Sequence, residues 1–152
     1  MTINPASVDI KDYLLTVPDL ELEFADNLFI GREPTTPDNC VTIFDTPGFG
    51  REKFYDRGIA YYKPSIQIRV RNTNYMDGWT LINSITEILH NQAMIINGME
   101  YTAMFCTIEP APLGYDANSR PRFVVTFDLQ RSPGEMTTWE HIAYKTWLDI
   151  IK

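Results

Sequence analysis

The chain has 152 residues, 44% hydrophobic and 12% aromatic, with 13 Lys and Arg against 20 Asp and Glu, a net charge of -7. This composition supports one sizeable core, which excludes a disordered chain, and no apolar run approaches the roughly 20 residues of a membrane-spanning helix. The acidic balance excludes a protein that grips phosphates over its whole surface, because such binding needs a positive footprint.

The first segment, MTINPASVDIKDYLL, has no basic stretch followed by an apolar one, so no secretory signal is expected. After Asn4-Pro5, Ser7 is placed to cap a helix whose apolar face is Val8, Tyr13, Leu14 and Leu15, and Pro18 stops it. Asp19–Phe24 alternates weakly, Leu28–Ile30 runs into Gly31, and Pro34–Asn39 reads as a loop. Cys40–Asp45 is β-branched and bounded by turn residues, which predicts a strand.

Residues 46–64, with three Gly and two Pro, read as a long polar loop. Next comes the clearest alternation in the chain: Ile66, Ile68 and Val70 share one strand face, and Gln67, Arg69 and Arg71 share the other. Trp79, Ile82, Ile85, Ile88 and Leu89 form the stripe of an amphipathic helix. Asn97-Gly98 between Met94–Ile96 and Tyr101–Ile108 predicts a hairpin, because a type I′ turn needs positive φ at both central residues. Glu109–Pro121 reads as loop and Phe123–Leu129 as a final strand. After Ser132-Pro133-Gly134, a capping box at Thr137 and Glu140 opens a last helix with Trp139 and Trp147 on one face. The fold class expected is α+β, a mostly antiparallel sheet packed by helices, with residues 1–132 as the domain and 133–152 as an additional C-terminal helix.

Chemistry is sparse. Asp45-Thr46-Pro47-Gly48 matches the switch motif of GTPases, but the 44 residues before it hold no GxxxxGK[ST] phosphate loop, so nucleotide hydrolysis is rejected in favour of a turn after a strand. Cys40, His90, Cys106 and His141 are scattered singly, without metal-ligand spacing, and the cysteines read as small buried hydrophobes. No GxSxG elbow is present and no carboxylate pair stands out, so no active site, cofactor or metal is expected and the chain is read as a non-enzyme.

Charge is segregated along the sequence. Residues 1–26 hold six acids against Lys11, a balance of -5, and residues 51–71 hold six bases against Glu52 and Asp56, a balance of +4. The basic strand face of Gln67, Arg69 and Arg71 fits three readings: the solvent side of a half-covered sheet, a contact with acids on another subunit, or nucleic acid.

Several segments taken together carry a resemblance: Pro37–Gly48, Lys63–Arg71, Tyr75 with the helix after it, Pro112-Leu113-Gly114 with Asp116, and Arg120-Pro121 with Phe123. About residues 25–130 resemble the tailed-bacteriophage minor capsid proteins, which are related to tail terminator (head–tail joining) proteins. The resemblance implies a structural virion protein, made in the host cytoplasm, that forms a ring, commonly six-fold. Such a ring caps the tail tube, docks it to neck or connector proteins and lets double-stranded DNA pass without sequence-specific binding. A neck stopper or another minor protein of the capsid vertex, and an unrelated intracellular binding module, are the alternatives.

On this reading Arg51, Lys53, Arg57, Arg69 and Arg71 meet acids such as Asp19, Glu21 and Glu23 on the next subunit. Phe49, Phe54, Tyr55, Tyr115, Asp116 and Arg120 lie on loops expected to touch tail tube or neck. Trp139 and Trp147 either cover their own sheet or dock on a neighbour.

Overall fold

The computed structural model describes residues 3–54 and 59–133. Helix α1 is Ala6–Leu15, followed by a 3-10 turn at Pro18–Leu20. Strands β1 (Leu28–Ile30), β2 (Cys40–Phe54) and β3 (Ile59–Arg71) precede helix α2 (Tyr75–Leu89). Strands β4 (Met94–Ile96), β5 (Met99–Tyr115) and β6 (Pro121–Pro133) complete a six-stranded sheet of order β1-β2-β3-β6-β5-β4. Only β1–β2 is parallel, so the sheet is mixed and mostly antiparallel.

The core follows the alternation of the strands. Val41, Ile43, Ile66, Ile68, Val70, Phe123, Val125 and Phe127 are all fully buried and lie in one register-matched field. Ile10 and Leu14 of α1, and Ile82, Ile85 and Leu89 of α2, belong to the same cluster, so both helices cover this face. The opposite face, including Phe44, Gln67, Arg69, Val124 and Thr126, is half-buried and carries neither α1 nor α2.

Local signals explain most boundaries. The Asn74 side chain caps α2 by accepting the Asp77 N–H at 3.1 Å. Asn97 and Gly98 both have positive φ, 51° and 79°, as the predicted β4–β5 hairpin requires. Ser7 is not the cap of α1. Its N–H and hydroxyl both donate to the Asp45 carboxylate, at 3.0 and 2.6 Å, which sets a negative charge against the positive end of the helix. Asp45 of the Asp-Thr-Pro-Gly stretch is thereby a structural clamp between β2 and α1.

Two expected loops are strands. Residues 46–54 belong to β2 and 59–64 to β3, and β5 and β6 extend to Tyr115 and from Pro121, leaving a turn at 116–120 in place of a thirteen-residue loop. The ladder tolerates its breakers through irregularities: β2–β3 shifts register between Thr46 and Phe49, and Pro64 enters neither neighbouring ladder. Pro110 and Pro112 sit where β5 shifts register against β6. Pro133, expected to open a joint, is the last residue of β6, and the predicted C-terminal helix with Trp139 and Trp147 lies outside the described residues.

Candidate docking surfaces

Beyond Tyr62, the last β3 residue paired with β6, β2 and β3 continue as a two-stranded arm. β3 is joined to β6 only from Tyr62 onward, so the outermost pairs, Glu52–Tyr61, Lys53–Ala60 and Phe54–Ile59, have β2 and β3 alone. Residues 47–53 are all exposed, and Phe49 shows 68% of its surface. The Arg51 guanidinium lies 4.5 Å from the centre of the Tyr62 ring, and Lys63 bonds Glu52 at 2.7 Å. Lys53 is exposed on the same strand. Phe54 ends β2, while Tyr55 and Arg57 lie outside the described residues.

The basic segment of the sequence is therefore not one patch. Arg71 pairs with Cys40 and Lys53 with Ala60, so these two bases stand eleven residues apart along β3, roughly 36 Å at strand rise. Arg69 faces the open side of the sheet, stacked 4.7 Å from the Phe44 ring centre and donating from Nε to Gln67 at 2.8 Å.

Arg71, expected at a subunit contact, is turned inward within its own chain. Only 3% exposed, it donates to Glu33 at 3.0 Å, to the Pro37 carbonyl at 2.6 Å and to the Asp38 carbonyl at 3.2 Å. The strand ends beside the 33–38 loop, and the free carbonyls there capture the guanidinium. Asp116 and Arg120, expected on a contact loop, close the same network. Arg120 is 7% exposed and donates to Asp116 at 2.8 Å, to Asp38 at 2.9 Å and to the Thr35 carbonyl at 2.7 Å. Burial works to raise the Asp116 pKa, but the Arg120 backbone N–H and guanidinium and the Asn118 N–H outweigh it and hold the carboxyl below its ordinary value. Tyr115 beside them remains 63% exposed.

The acidic segment is surface. Asp19 sits on the 3-10 turn, Glu21 follows it with φ 52°, and Glu23 anchors the next turn through its N–H to the Asn27 side chain at 2.7 Å. All three are exposed. Between this turn and α2 runs a groove of about 540 Å³ bounded by Asp19, Leu20, Trp79, Asn83, Glu87 and Ile88, among others. Its α2 side repeats every three to four residues on the helix face turned away from Ile82, Ile85 and Leu89.

One buried cluster has no counterpart in the residues singled out from sequence. Asp9, fully buried on α1, accepts from the Tyr101 hydroxyl at 2.5 Å, from Arg131 Nη1 at 3.1 Å and from Asn97 at 2.9 Å. Arg131 Nη1 also reaches the Tyr101 oxygen at 3.0 Å and the Asn4 carbonyl at 2.9 Å. Burial, then the bond to Asp9, pushes the Tyr101 hydroxyl well above the usual phenol range. The signal for it was an acid one position from Ile10 on the apolar side of α1, a placement that demands a buried partner.

Both cysteines are free, and burial raises the pKa of each thiol. Among the described residues no group of three or more His, Cys, Asp or Glu is placed to hold a metal ion, and no helix is long and apolar enough to cross a membrane.

Comparison with known proteins gives this surface a context. Among curated proteins none matches the chain. The fold is similar to a chain in a solved structure described as the virion of a native gene transfer agent (GTA) particle, with TM-score 0.57 and 7% identity, over 86% of this chain and 99% of that one. At such identity the likeness is one of fold. The family model described as bacteriophage tail terminator protein matches residues 8–132, from the third residue of α1 to the next-to-last residue of β6. The chain thus belongs to the bacteriophage tail terminator family and is a structural protein of the phage virion.

Proposed function

We propose that this chain assembles with copies of itself into a closed, six-fold ring that ends the tail tube, docks it to neck proteins and leaves a channel for double-stranded DNA. The observation that carries the reading is the family match, because residues 8–132 span every described strand and helix of the domain except the first two residues of α1 and the last of β6. The surface supports it. Large apolar side chains remain exposed at Phe49, Ile95, Ile108 and Tyr115, as contact surfaces require. Acidic and basic groups occupy separate exposed segments, a distribution suited to head-to-tail contacts that close when the rotation allows. Arg69, stacked over Phe44 on the open face of the sheet, is a candidate for one such contact.

The test is complementation. Phage lacking this protein should accumulate heads and tails that do not join, and adding purified protein to the lysate should yield joined particles, with a ring at the junction by electron microscopy. Normal joining without the protein would sink the proposal.

A further inference from the structure

We infer that the groove between the Pro18–Leu20 turn and α2 receives the basic β2–β3 arm of a second copy of this chain. The inference rests on the ring reading above and names the two surfaces that meet.

The groove has the chemistry of a cation site with apolar walls. Leu20, Trp79 and Ile88 form the walls, while the exposed Asp19 and Glu87 bring two carboxylates to the rim. Neither carboxylate has an ion-pair partner among the described residues. Trp79 adds an indole, the aromatic surface on which a guanidinium stacks best. Thr80, Asn83 and Ser84 also line the groove and bring uncharged polar groups to it.

The arm has the complementary chemistry. Its described residues carry Arg51, Lys53 and Lys63 against Glu52, and Lys63 is already bonded to Glu52. Arg51 is held in place over Tyr62, so its guanidinium is displayed with less ordering cost than a mobile side chain would have. Phe49, 68% exposed, supplies an apolar group two residues away, matched to the Leu20–Trp79–Ile88 walls.

Arm and groove are different surfaces: the arm leaves the sheet beyond Tyr62, and the groove lies on the outer side of α2. A contact between them repeats from copy to copy in one direction, which is the heterologous geometry that builds rings.

Charge exchange tests this directly. One variant carries Arg51→Glu and Lys53→Glu, and the other carries Asp19→Lys and Glu87→Lys. All four positions are exposed, so each variant should keep the wild-type circular dichroism and melting curve. Native mass spectrometry and sedimentation velocity read the assembly. Each variant alone should need at least about tenfold more protein to assemble. An equimolar mixture should assemble like wild type with the two variants alternating, because each reversed arm then finds a reversed groove. Assembly of either variant at the wild-type concentration, or a mixture as defective as its components, would overturn the pairing. A wild-type chain that stays monomeric at all concentrations, alone and with tail tubes, would overturn the ring itself.

Discussion

Asp9, Tyr101 and Arg131 show how much a single buried carboxylate can organise. The three side chains come from α1, β5 and β6, and their bonds meet at one Asp9 oxygen. Removing one partner of a buried ion pair leaves the other charge uncompensated, at a cost of about 3–5 kcal/mol. Asp9→Ala should therefore lower the urea-unfolding free energy by about that amount, and a loss below about 1 kcal/mol would contradict the cluster's role. Adding Arg131→Met to Asp9→Ala should recover part of the loss, since the stranded guanidinium is then gone. Asp116 makes a second prediction, on pH. Its carboxyl pKa is held below the ordinary value, so its contribution is present above the unfolded-state pKa of about 3.9 and lost as pH falls through the lower folded value. The stability gap between wild type and Asp116→Asn should be open at neutral pH and should close in acid. A gap that widens below pH 4 would contradict this.

At the scale of elements, the β2–β3 arm depends on a close approach of backbones. A Cβ at Gly48 would lie 2.0 Å from the Lys63 carbonyl oxygen and 2.9 Å from the Pro64 Cα, both main-chain atoms that cannot swing aside. Gly48→Ala should loosen the arm locally. Amide exchange across residues 46–53 and 60–65 should rise by more than about tenfold, while β6 amides near Val125 and Phe127 keep their protection. Equal acceleration at both places would show that the arm is not a separate unit. The same element explains where sequence reading fell short. Ile66, Ile68 and Val70 announced their strand because one face is core and the other is not. Residues 47–53 are exposed throughout, so no alternation of apolar and polar residues marks them, and Pro47, Gly48 and Gly50 look like a loop. Pro110, Pro112 and Gly114 hid the end of β5 for a similar reason: the strand is irregular there and exposed on both sides of Pro110. Arg71 was legible as a strand residue but not as a buried one, since its partners in the 33–38 loop lie more than thirty positions away.

For the whole molecule, the proposed ring and the charge of -7 bear on the same question, whether this protein would hold duplex DNA. Affinity for duplex DNA grows with each phosphate that a Lys or Arg neutralises, and the described bases are largely committed elsewhere. Arg71, Arg120 and Arg131 are buried in ion pairs, Lys63 is bonded to Glu52, and Arg69 is stacked on Phe44 and bonded to Gln67. Arg51 and Lys53 stand on an arm with Glu52 between them. Among the described residues, the bases named above are spent on other partners or interrupted by Glu52, so a channel lined by them would let DNA slide instead of holding it. The expected outcome is that a labelled duplex of about 30 base pairs shows no anisotropy change with up to about 10 μM protein at 150 mM salt, where non-specific binders with Kd in the usual 10⁻⁴–10⁻⁶ M range begin to respond. Lowering the salt to about 20 mM should change little, because few counterions are released when few phosphates are neutralised. Saturable binding at 150 mM salt, or a steep rise in affinity at low salt, would mean that a basic surface is exposed in solution and would remove the sliding-channel picture.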